Sequence, residues 1–260
     1  MPHIIGHRGA RGEAPENTLA GFHQAVASGA EGIELDVRLS SDGHLVVLHD
    51  ARLMRTTGDR RQARHITRSE LSGLDARHDT PGWHSPTGVP SLEEVIDACP
   101  EHMHFQFEVK PARRAVLERI GSELARLVAN RAMQDRCIIS SSHLPFLEGM
   151  GREHPTLRRG YVCSRGYRLP VLGSRLLGCQ WLIAHYRLVS ARRVARARKQ
   201  GLRLSVWTVN DLAEAERLAA LGVDSLITDF PSAFVAHFQG PGRHNRHGET
   251  AAAAADTADL

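Results

Sequence analysis

The chain has 260 residues, 42% of them hydrophobic, and a formal net charge of +4, which suits one large domain with a sizeable core. No apolar run approaches the roughly 18 residues that span a membrane, and Met1-Pro2-His3 leads straight into a strand pattern without a signal peptide. We therefore expect no stable membrane insertion and a cytoplasmic location.

The positive charge is modest and comes almost entirely from scattered arginines, so we expect no nucleic-acid partner. The densest basic cluster, residues 192–199, has helical spacing, which favours the solvated face of an amphipathic helix over a phosphate-binding stripe. The cysteines lie far apart without a C-x-x-C motif, which predicts reduced thiols rather than a metal–thiolate site or a disulfide framework. They are Cys99, Cys137, Cys163 and Cys179.

Short apolar runs alternate with helical patterns along most of the chain. Strands are predicted at 3–7, 32–38, 105–110, 137–141, 159–163, 181–184, 202–207 and 224–228. Helices are predicted at 15–28, 91–99, 111–130, 144–151, 171–177, 190–200, 211–221 and from 231 onward. Alternation implies parallel strands with right-handed crossovers, and eight such units predict a (β/α)8 TIM barrel over residues 1–238.

Three segments fall outside that alternation. A hairpin follows the second strand, and residues 51–90 show so little periodicity that we interpret them as a long loop, a small insertion with a lid or substrate-binding role. From residue 239 the chain turns to Gly, Pro, His and an alanine run, which predicts a disordered tail at 239–260 outside the fold.

The hairpin gathers polar groups within residues 33–50. Asp42-Gly43 is a strong turn signal between two apolar runs, and a two-residue loop there pairs Asp36 directly with His49. Directly paired residues share a face with Cβ atoms about 5 Å apart. The alternative is an ordinary surface strand whose outer face carries solvated charge.

Reactive groups of (β/α)8 barrels lie where the strands end. The strand ends here carry His7, Arg8, Glu34, Asp36, Glu108, Lys110 and Trp207. Three carboxylates at one mouth would repel each other by roughly 4 kcal/mol per pair at 4 Å and an effective dielectric near 20. Either one carboxyl keeps its proton or a cation lies between them, and oxygen ligands without thiols suit Mg²⁺ or Ca²⁺. A structural ion pair with Arg8 or Lys110 is the competing explanation.

Two imidazoles beside a divalent metal, with Arg8 and Lys110 nearby, fit the cleavage of a phosphodiester. The cations would hold the nonbridging oxygens, one imidazole would take a proton, and the other would protonate the leaving alkoxide.

The ordered set of motifs resembles the glycerophosphodiester phosphodiesterases over roughly residues 3–235. The motifs are His7-Arg8-Gly9, Pro15-Glu16-Asn17-Thr18, Glu34-Leu35-Asp36-Val37, Asp42-Gly43, His49-Asp50, Glu108-Val109-Lys110 and Trp207-Thr208-Val209-Asn210, with 55–58, 90–94 and 222–229. By this resemblance the protein is an enzyme that releases sn-glycerol 3-phosphate and an alcohol from a small-molecule phosphodiester, through the substrate's own glycerol hydroxyl and a cyclic phosphate.

The resemblance also implies the role of each residue. His7 and His49 would be the acid/base pair, and Glu34, Asp36 and Glu108 the ligands of a divalent metal. Arg8 and Lys110 would contact phosphate, and Trp207 would line the pocket.

Several alternatives stay open at this stage. The same residues fit a lysophospholipase D that acts on lysophospholipids. A third hypothesis, which is not an enzyme, is a barrel that only binds phosphodiesters. Asn17 either binds metal or phosphate or caps the first helix. The head group and the choice between Mg²⁺ and Ca²⁺ are not fixed by the sequence.

Overall fold

Eight parallel strands close into a barrel in this computed structural model, which describes residues 1–164 and 168–240. Its strands are β1 (His3–His7), β2 (Gly32–Leu39), β3 (Leu45–Val47), β4 (His104–Val109), β5 (Cys137–Ser141), β6 (Arg159–Cys163), β7 (Trp181–His185), β8 (Arg203–Trp207) and β9 (Ser225–Thr228). Strand β1 pairs with both β2 and β9 and so closes the ring, while β3 adds to β2 in the antiparallel direction. The predicted TIM barrel with a hairpin after its second strand is confirmed.

The helices surround this ring, each following a strand or lying in the insertion. They are α1 (Leu19–Ala27), α2 (Met54–Thr57), α3 (Arg68–Ser72), α4 (Leu92–Ala98), α5 (Arg114–Asn130), α6 (Leu144–Glu153), α7 (Arg168–Leu176), α8 (Ala191–Lys199), α9 (Leu212–Ala220) and α10 (Pro231–Gln239). Three predicted starts are wrong, since α1 begins four residues and α5 three residues later than expected, and α7 three residues earlier. Helix α8 buries only Val194 and Ala197, so its arginines face outward as predicted.

Alternation along β2 sends one set of side chains to the helices and the other into the barrel. Ile33, Leu35 and Val37 are fully buried in the core between sheet and helices, together with Phe22 of α1. Inside the barrel a smaller apolar cluster is formed by Ile5, Val162, Ile183 and Ile227. It fills the centre of the ring, so the polar groups of the strand ends lie above an apolar base.

The hairpin does not have the predicted register. Val37 pairs with Val47 and Leu39 with Leu45, so the loop has three residues, 41–43, rather than two. The predicted direct pairing of Asp36 with His49 is wrong. The backbone carbonyl of Asp36 instead accepts a hydrogen bond from the backbone N–H of Leu48 at 2.9 Å.

Local hydrogen bonds explain the longer loop. The Ser40 hydroxyl accepts the backbone N–H of His44 at 2.9 Å and donates to Asp42 at 2.6 Å. Gly43 adopts φ 86°, the left-handed conformation that ends a three-residue hairpin loop. Strand β3 ends at Val47, so His49 leaves the ladder and reaches the barrel mouth from the following segment.

The segment 51–90 is more ordered than its weak periodicity suggests, which corrects its interpretation as a long loop. It contains α2, α3 and a short 3₁₀ turn, and Thr67 with Glu70 forms a capping box that starts α3. Apolar side chains of this segment and of residues 46–48 form a core of their own. They are Val46, Leu48, Leu53, Ala63, Ile66, Leu71, Ala76 and Val89. Its lid role stays a prediction.

Three remaining expectations concern the ends, the thiols and the membrane. Helix α10 runs to Gln239, and the predicted tail beyond Gly240 lies outside the described residues. All four cysteines are free thiols, as predicted. In the part of the chain that the structure describes, no helix is both long and apolar enough to cross a membrane.

Candidate active site

A cavity of about 80 Å³ opens at the carboxyl ends of the barrel strands. Its polar lining comes from the ends of four strands and from the segment after the hairpin, as expected from the strand-end pattern. The lining includes His7, Arg8, Glu34, His49, Gln106, Glu108, Lys110 and Trp207. Asp36 lies directly behind it and is fully buried. The structure therefore brings all the predicted site residues together.

Neighbouring strands position the three acids. Asp36 of β2 lies opposite Glu108 of β4 in the parallel ladder, and Glu34 precedes Asp36 by two residues on the same face. One carboxylate oxygen from each of Glu34, Asp36 and Glu108 lies within 4.8 Å of the others. The spacing is short enough for a single ion to contact all three.

Asp36 already has cationic partners. Its carboxylate lies 2.8 Å from Lys110 Nζ and 3.2 Å from Arg8 Nε, and it accepts a hydrogen bond from the Asn17 amide at 2.8 Å. Burial alone would raise the pKa of Asp36, but Lys110 and Arg8 hold it far below its usual range. Lys110 also pairs with Glu108 at 2.7 Å, so the ion-pair explanation applies to two of the three acids.

Glu34 forms no ion pair with a lysine or arginine of the described chain. One of its oxygens accepts the backbone N–H of Arg8 at 3.1 Å, and the other, Oε1, is buried without a hydrogen bond from any described residue. Burial raises the pKa of Glu34 well above its ordinary value, and the charges of Asp36 and Glu108 act in the same direction. Burial likewise raises the pKa of Glu108.

A divalent cation fits this set of donors. Hard carboxylate oxygens from Glu34, Asp36 and Glu108 are the ligands that Mg²⁺ and Ca²⁺ prefer. A bound cation would supply the contact that Glu34 Oε1 lacks and would favour the charged form of Glu34 and Glu108. The cluster therefore supports a divalent metal, as the sequence indicated.

His7 is oriented by a carboxylate from the last strand end. Its Nδ1 lies 2.6 Å from Asp229, which also accepts a hydrogen bond from the Asn210 amide at 2.7 Å. The other ring nitrogen, Nε2, lies 3.9 Å from Glu34. A carboxylate on Nδ1 fixes the tautomer and directs Nε2 to the acid cluster.

His49 has a similar arrangement with different neighbours. Its Nδ1 lies 2.7 Å from Asp50, and Asp50 in turn accepts a hydrogen bond from Arg55 at 2.7 Å. Arg38 donates two hydrogen bonds to the His49 carbonyl, at 3.0 and 2.6 Å. Burial lowers the pKa of His49, and the positive charges of Lys110 and Arg8 add to that effect.

The loop after β1 places Arg8 in a strained conformation. Arg8 has φ 50°, which lies in the left-handed region of backbone conformation that residues other than glycine seldom occupy. Gly9 follows at φ 87°, and a Cβ there would lie 2.6 Å from the backbone of Gly21 in α1. Glu16 holds the strained residue, since it binds Arg8 at 3.0 Å and Arg55 at 2.6 Å.

Two further predicted residues have defined surroundings. Trp207 lines the cavity, donates its indole N–H to the Ile183 carbonyl at 3.2 Å, and meets the His185 ring edge-on at 5.5 Å. The side chain that caps α1 belongs to Thr18, so the capping role considered for Asn17 is wrong. The Asn17 amide binds Asp36 instead.

Sequence reasoning assigned no role to the residues that support the two histidines, Asp50 and Asp229. Asp229 follows the strand pattern of β9 and could have been found by the same strand-end rule that identified His7 and Glu34. The link from Asp50 through Arg55 to Glu16 has no local signal, because Arg55 and Glu16 are 39 positions apart in the chain.

Comparison with known proteins decides the family. The model of the glycerophosphoryl diester phosphodiesterase family matches residues 7–233 of this chain. The chain belongs to this family. The resemblance predicted from the sequence motifs is thereby confirmed, and the protein is a phosphodiesterase of the glycerophosphodiester class.

Individual relatives agree with this assignment. A glycerophosphodiester phosphodiesterase of Caldanaerobacter subterraneus is 32% identical over 233 residues, covering 89% of this chain and 96% of the relative. An Oleispira antarctica phosphodiesterase, whose structure contains the product sn-glycerol-3-phosphate, has a TM-score of 0.84 at 29% identity and covers 92% of this chain and 97% of its own. The mouse lysophospholipase D GDPD1 is 27% identical over 274 residues, covering 88% of this chain and 83% of its own.

Proposed function

We propose that this phosphodiesterase cleaves glycerophosphodiesters to sn-glycerol 3-phosphate and an alcohol, with Mg²⁺ or Ca²⁺ held by Glu34, Asp36 and Glu108. The observation that carries the proposal is the convergence of two oriented histidines and these acids on one cavity. The product in the Oleispira antarctica relative supports a small-molecule phosphodiester as substrate. A cytoplasmic location stays a prediction from the sequence.

The cations of the mouth would bind the phosphate group. Lys110 lines the cavity and contacts Asp36 and Glu108, and Arg8 is fixed by Glu16 with its guanidinium beside Asp36. A divalent ion on the three acids would add positive charge at the nonbridging oxygens and so stabilise the charge that develops during cleavage.

The two histidines would move the protons. The lowered pKa of His49 favours the neutral imidazole at pH 7, which accepts a proton from the substrate's glycerol hydroxyl. His7, held through Nδ1 by Asp229, would then donate a proton to the leaving alkoxide. Attack by the glycerol hydroxyl gives a cyclic phosphate, which water opens in the second half of the reaction.

Two other functions are compatible with parts of this picture. A lysophospholipase D activity is supported by the likeness to the mouse enzyme of that name. A barrel that binds phosphodiesters without cleaving them would not need both His7 and His49 to be oriented by carboxylates, as they are here.

The decisive experiment measures release of glycerol 3-phosphate from glycerophosphocholine and glycerophosphoethanolamine, with lysophosphatidylcholine alongside. EDTA should abolish turnover, and Mg²⁺ or Ca²⁺ should restore it. Full activity in excess chelator would exclude the metal role, and preferential cleavage of the lysophospholipid would favour the lysophospholipase D function.

Histidine variants separate an enzyme from a binding protein. His7→Ala and His49→Ala should each reduce turnover by about 10²–10⁴-fold, the usual contribution of a positioned acid or base. The double variant should be little worse than the worse single one, because the two groups act in one proton-transfer cycle. Added metal should partly rescue Glu34→Gln but neither histidine variant. Wild-type rates in both single histidine variants would contradict the acid–base roles.

A further inference from the structure

A second, larger groove lies next to the catalytic cavity. It has a volume of about 440 Å³ and is bordered by the insertion on one side and the start of α5 on the other. Its lining contains four cationic side chains, Arg38, Arg64, Lys110 and Arg113. Among the described residues that line it there is no aspartate or glutamate.

The arginines of this groove differ from those of the catalytic cavity in their partners. Arg8 is neutralised by Glu16 and Asp36, whereas Arg38 donates to a backbone carbonyl and Arg64 to the side-chain oxygen of Gln62. Arg113 has no polar side-chain partner within the described chain. Arg64 and Arg113 therefore face the groove without a carboxylate partner among the described residues, whereas Arg38 also feels the negative charges of Asp36, Asp50 and Glu108. The two exposed guanidinium groups make the groove a site of positive potential.

The groove is connected to the reaction centre through Lys110 and Arg38. Lys110 lines both spaces, and Arg38 supports the backbone of His49. The catalytic cavity, at about 80 Å³, is far below the roughly 300–1,000 Å³ of typical ligand sites, whereas the groove falls within that range. A glycerophosphodiester therefore has room to extend from the catalytic cavity into the groove.

We propose that this groove binds the alcohol part of the substrate and selects an alcohol that carries negative charge of its own, such as a second phosphate or a carboxylate. This inference rests on the proposed function. Guanidinium groups bind phosphate and carboxylate through paired, charge-assisted hydrogen bonds. A quaternary ammonium group such as choline prefers aromatic faces, and none of the described lining residues of the groove is aromatic.

Apolar side chains also line the groove and define the competing occupant. Leu39, Val116 and Ile120 lie there, and an acyl chain of a lysophospholipid could contact them. An acyl chain gains nothing from arginines that lack a carboxylate partner, so the positive charge of these arginines favours an anionic alcohol.

The test compares two substrates that differ by a single phosphate, glycerophosphoinositol and glycerophosphoinositol 4-phosphate. Wild-type kcat/KM should be about 10-fold higher for the phosphorylated substrate at low ionic strength, since a positive cleft raises the local concentration of anions by at least that factor. Salt at 0.5 M should remove most of the difference, because screening weakens exposed charges. Glycerophosphocholine and lysophosphatidylcholine are measured in parallel.

Arg64→Gln and Arg113→Gln together should abolish most of the preference for the phosphorylated inositol substrate. Arg114→Gln is the matched control, since Arg114 neighbours Arg113 but pairs with Glu118 on the exposed face of α5. Equal kcat/KM for the two inositol substrates, or preference for lysophosphatidylcholine, would overturn the groove's assignment while leaving catalysis intact. Failure to cleave any of the four substrates would overturn the proposed function itself.

Discussion

His7 and His49 are each held through Nδ1 by a carboxylate, but the two carboxylates differ in their own partners. Asp229 accepts a hydrogen bond from the neutral Asn210 amide, whereas Asp50 accepts one from the charged Arg55. Burial lowers the pKa of His49, and the charges of Lys110 and Arg8 act in the same direction. The two imidazoles thus share an orientation through Nδ1 but differ in the groups behind the carboxylate that orients them.

The positioning role of Asp229 gives the first prediction. Asp229→Asn should lower kcat by about 10²-fold with little change in KM, because an amide can donate to His7 Nδ1 and so favour the wrong tautomer. Asp229→Glu should retain more activity, since it keeps the carboxylate. Steady-state kinetics of both variants, with circular dichroism as folding control, make the measurement.

Asp224→Asn is the matched control for that experiment. Asp224 lies just before the other end of β9 and binds the Leu204 backbone at 2.8 Å, away from the histidines. It should change thermal stability more than kcat. If Asp229→Asn instead alters stability alone, with kcat preserved, its carboxylate does not position His7.

At the scale of whole elements, most of the barrel could be predicted because each strand and helix carries its own local signal. The limits of β5 and β6 agree with the predicted ranges, since short buried strands are bounded by abrupt changes in composition. The segment 51–90 was harder, because α2 and α3 have too few turns to show a helical period. The hairpin register failed because Asp42-Gly43 is compatible with both two- and three-residue loops.

The candidate site likewise contains residues that the sequence predicts and contacts that it does not. Residues at strand ends, such as Glu34 and Glu108, were predictable because the barrel topology brings all strand ends to one mouth. Contacts from the loops were not, since neither Arg38 binding the His49 carbonyl nor Arg55 binding Asp50 follows from any periodicity. Such contacts depend on loop conformations that tertiary packing sets.

The observed hairpin loop yields a prediction about Gly43. Gly43→Ala should destabilise the protein by about 1 kcal/mol or more, because alanine is strained at φ 86° and its Cβ would displace the Arg119 guanidinium. Gly43→Asn should cost less, since asparagine tolerates this conformation better than other side chains. Gly82→Ala is the control, because its Cβ would have no neighbour within 4 Å. Urea unfolding compares the three, and equal stability of the Gly43 and Gly82 alanine variants would contradict the left-handed loop.

At the scale of the whole molecule, the acid cluster couples folding to metal and pH. Burial raises the pKa of Glu34 well above its ordinary value of 4.5. Between the two values the folded protein binds more protons than the unfolded chain, so the free energy of unfolding decreases as pH rises through that window. Glu108 acts in the same direction. The low pKa of Asp36 matters only under more acidic conditions, where stability is lost as pH falls.

A divalent ion should reverse the decrease in the free energy of unfolding that occurs as pH rises. Because it binds the deprotonated carboxylates, it competes with their protons and stabilises the folded state most at high pH. At about 100 times its dissociation constant it contributes roughly 2.7 kcal/mol, which for a domain of this size raises Tm by about 5–10 °C. We therefore expect Mg²⁺ or Ca²⁺ to raise Tm by that amount at pH 8 and much less at pH 5, measured by differential scanning calorimetry against EDTA.

Glu34→Gln separates the contribution of Glu34 to the pH dependence of stability from that of the other titrating groups. His49 acts oppositely below pH 6.5, because its lowered pKa makes the unfolded chain the better proton binder, so stability from this group rises with pH. The variant keeps His49 but has no proton to lose at position 34, so in EDTA its Tm should fall less with pH than that of the wild type. Its metal-induced shift should also be smaller, since one ligand has lost its charge. A metal shift that is the same at both pH values, or unchanged in the variant, would show that the ion binds elsewhere than at Glu34.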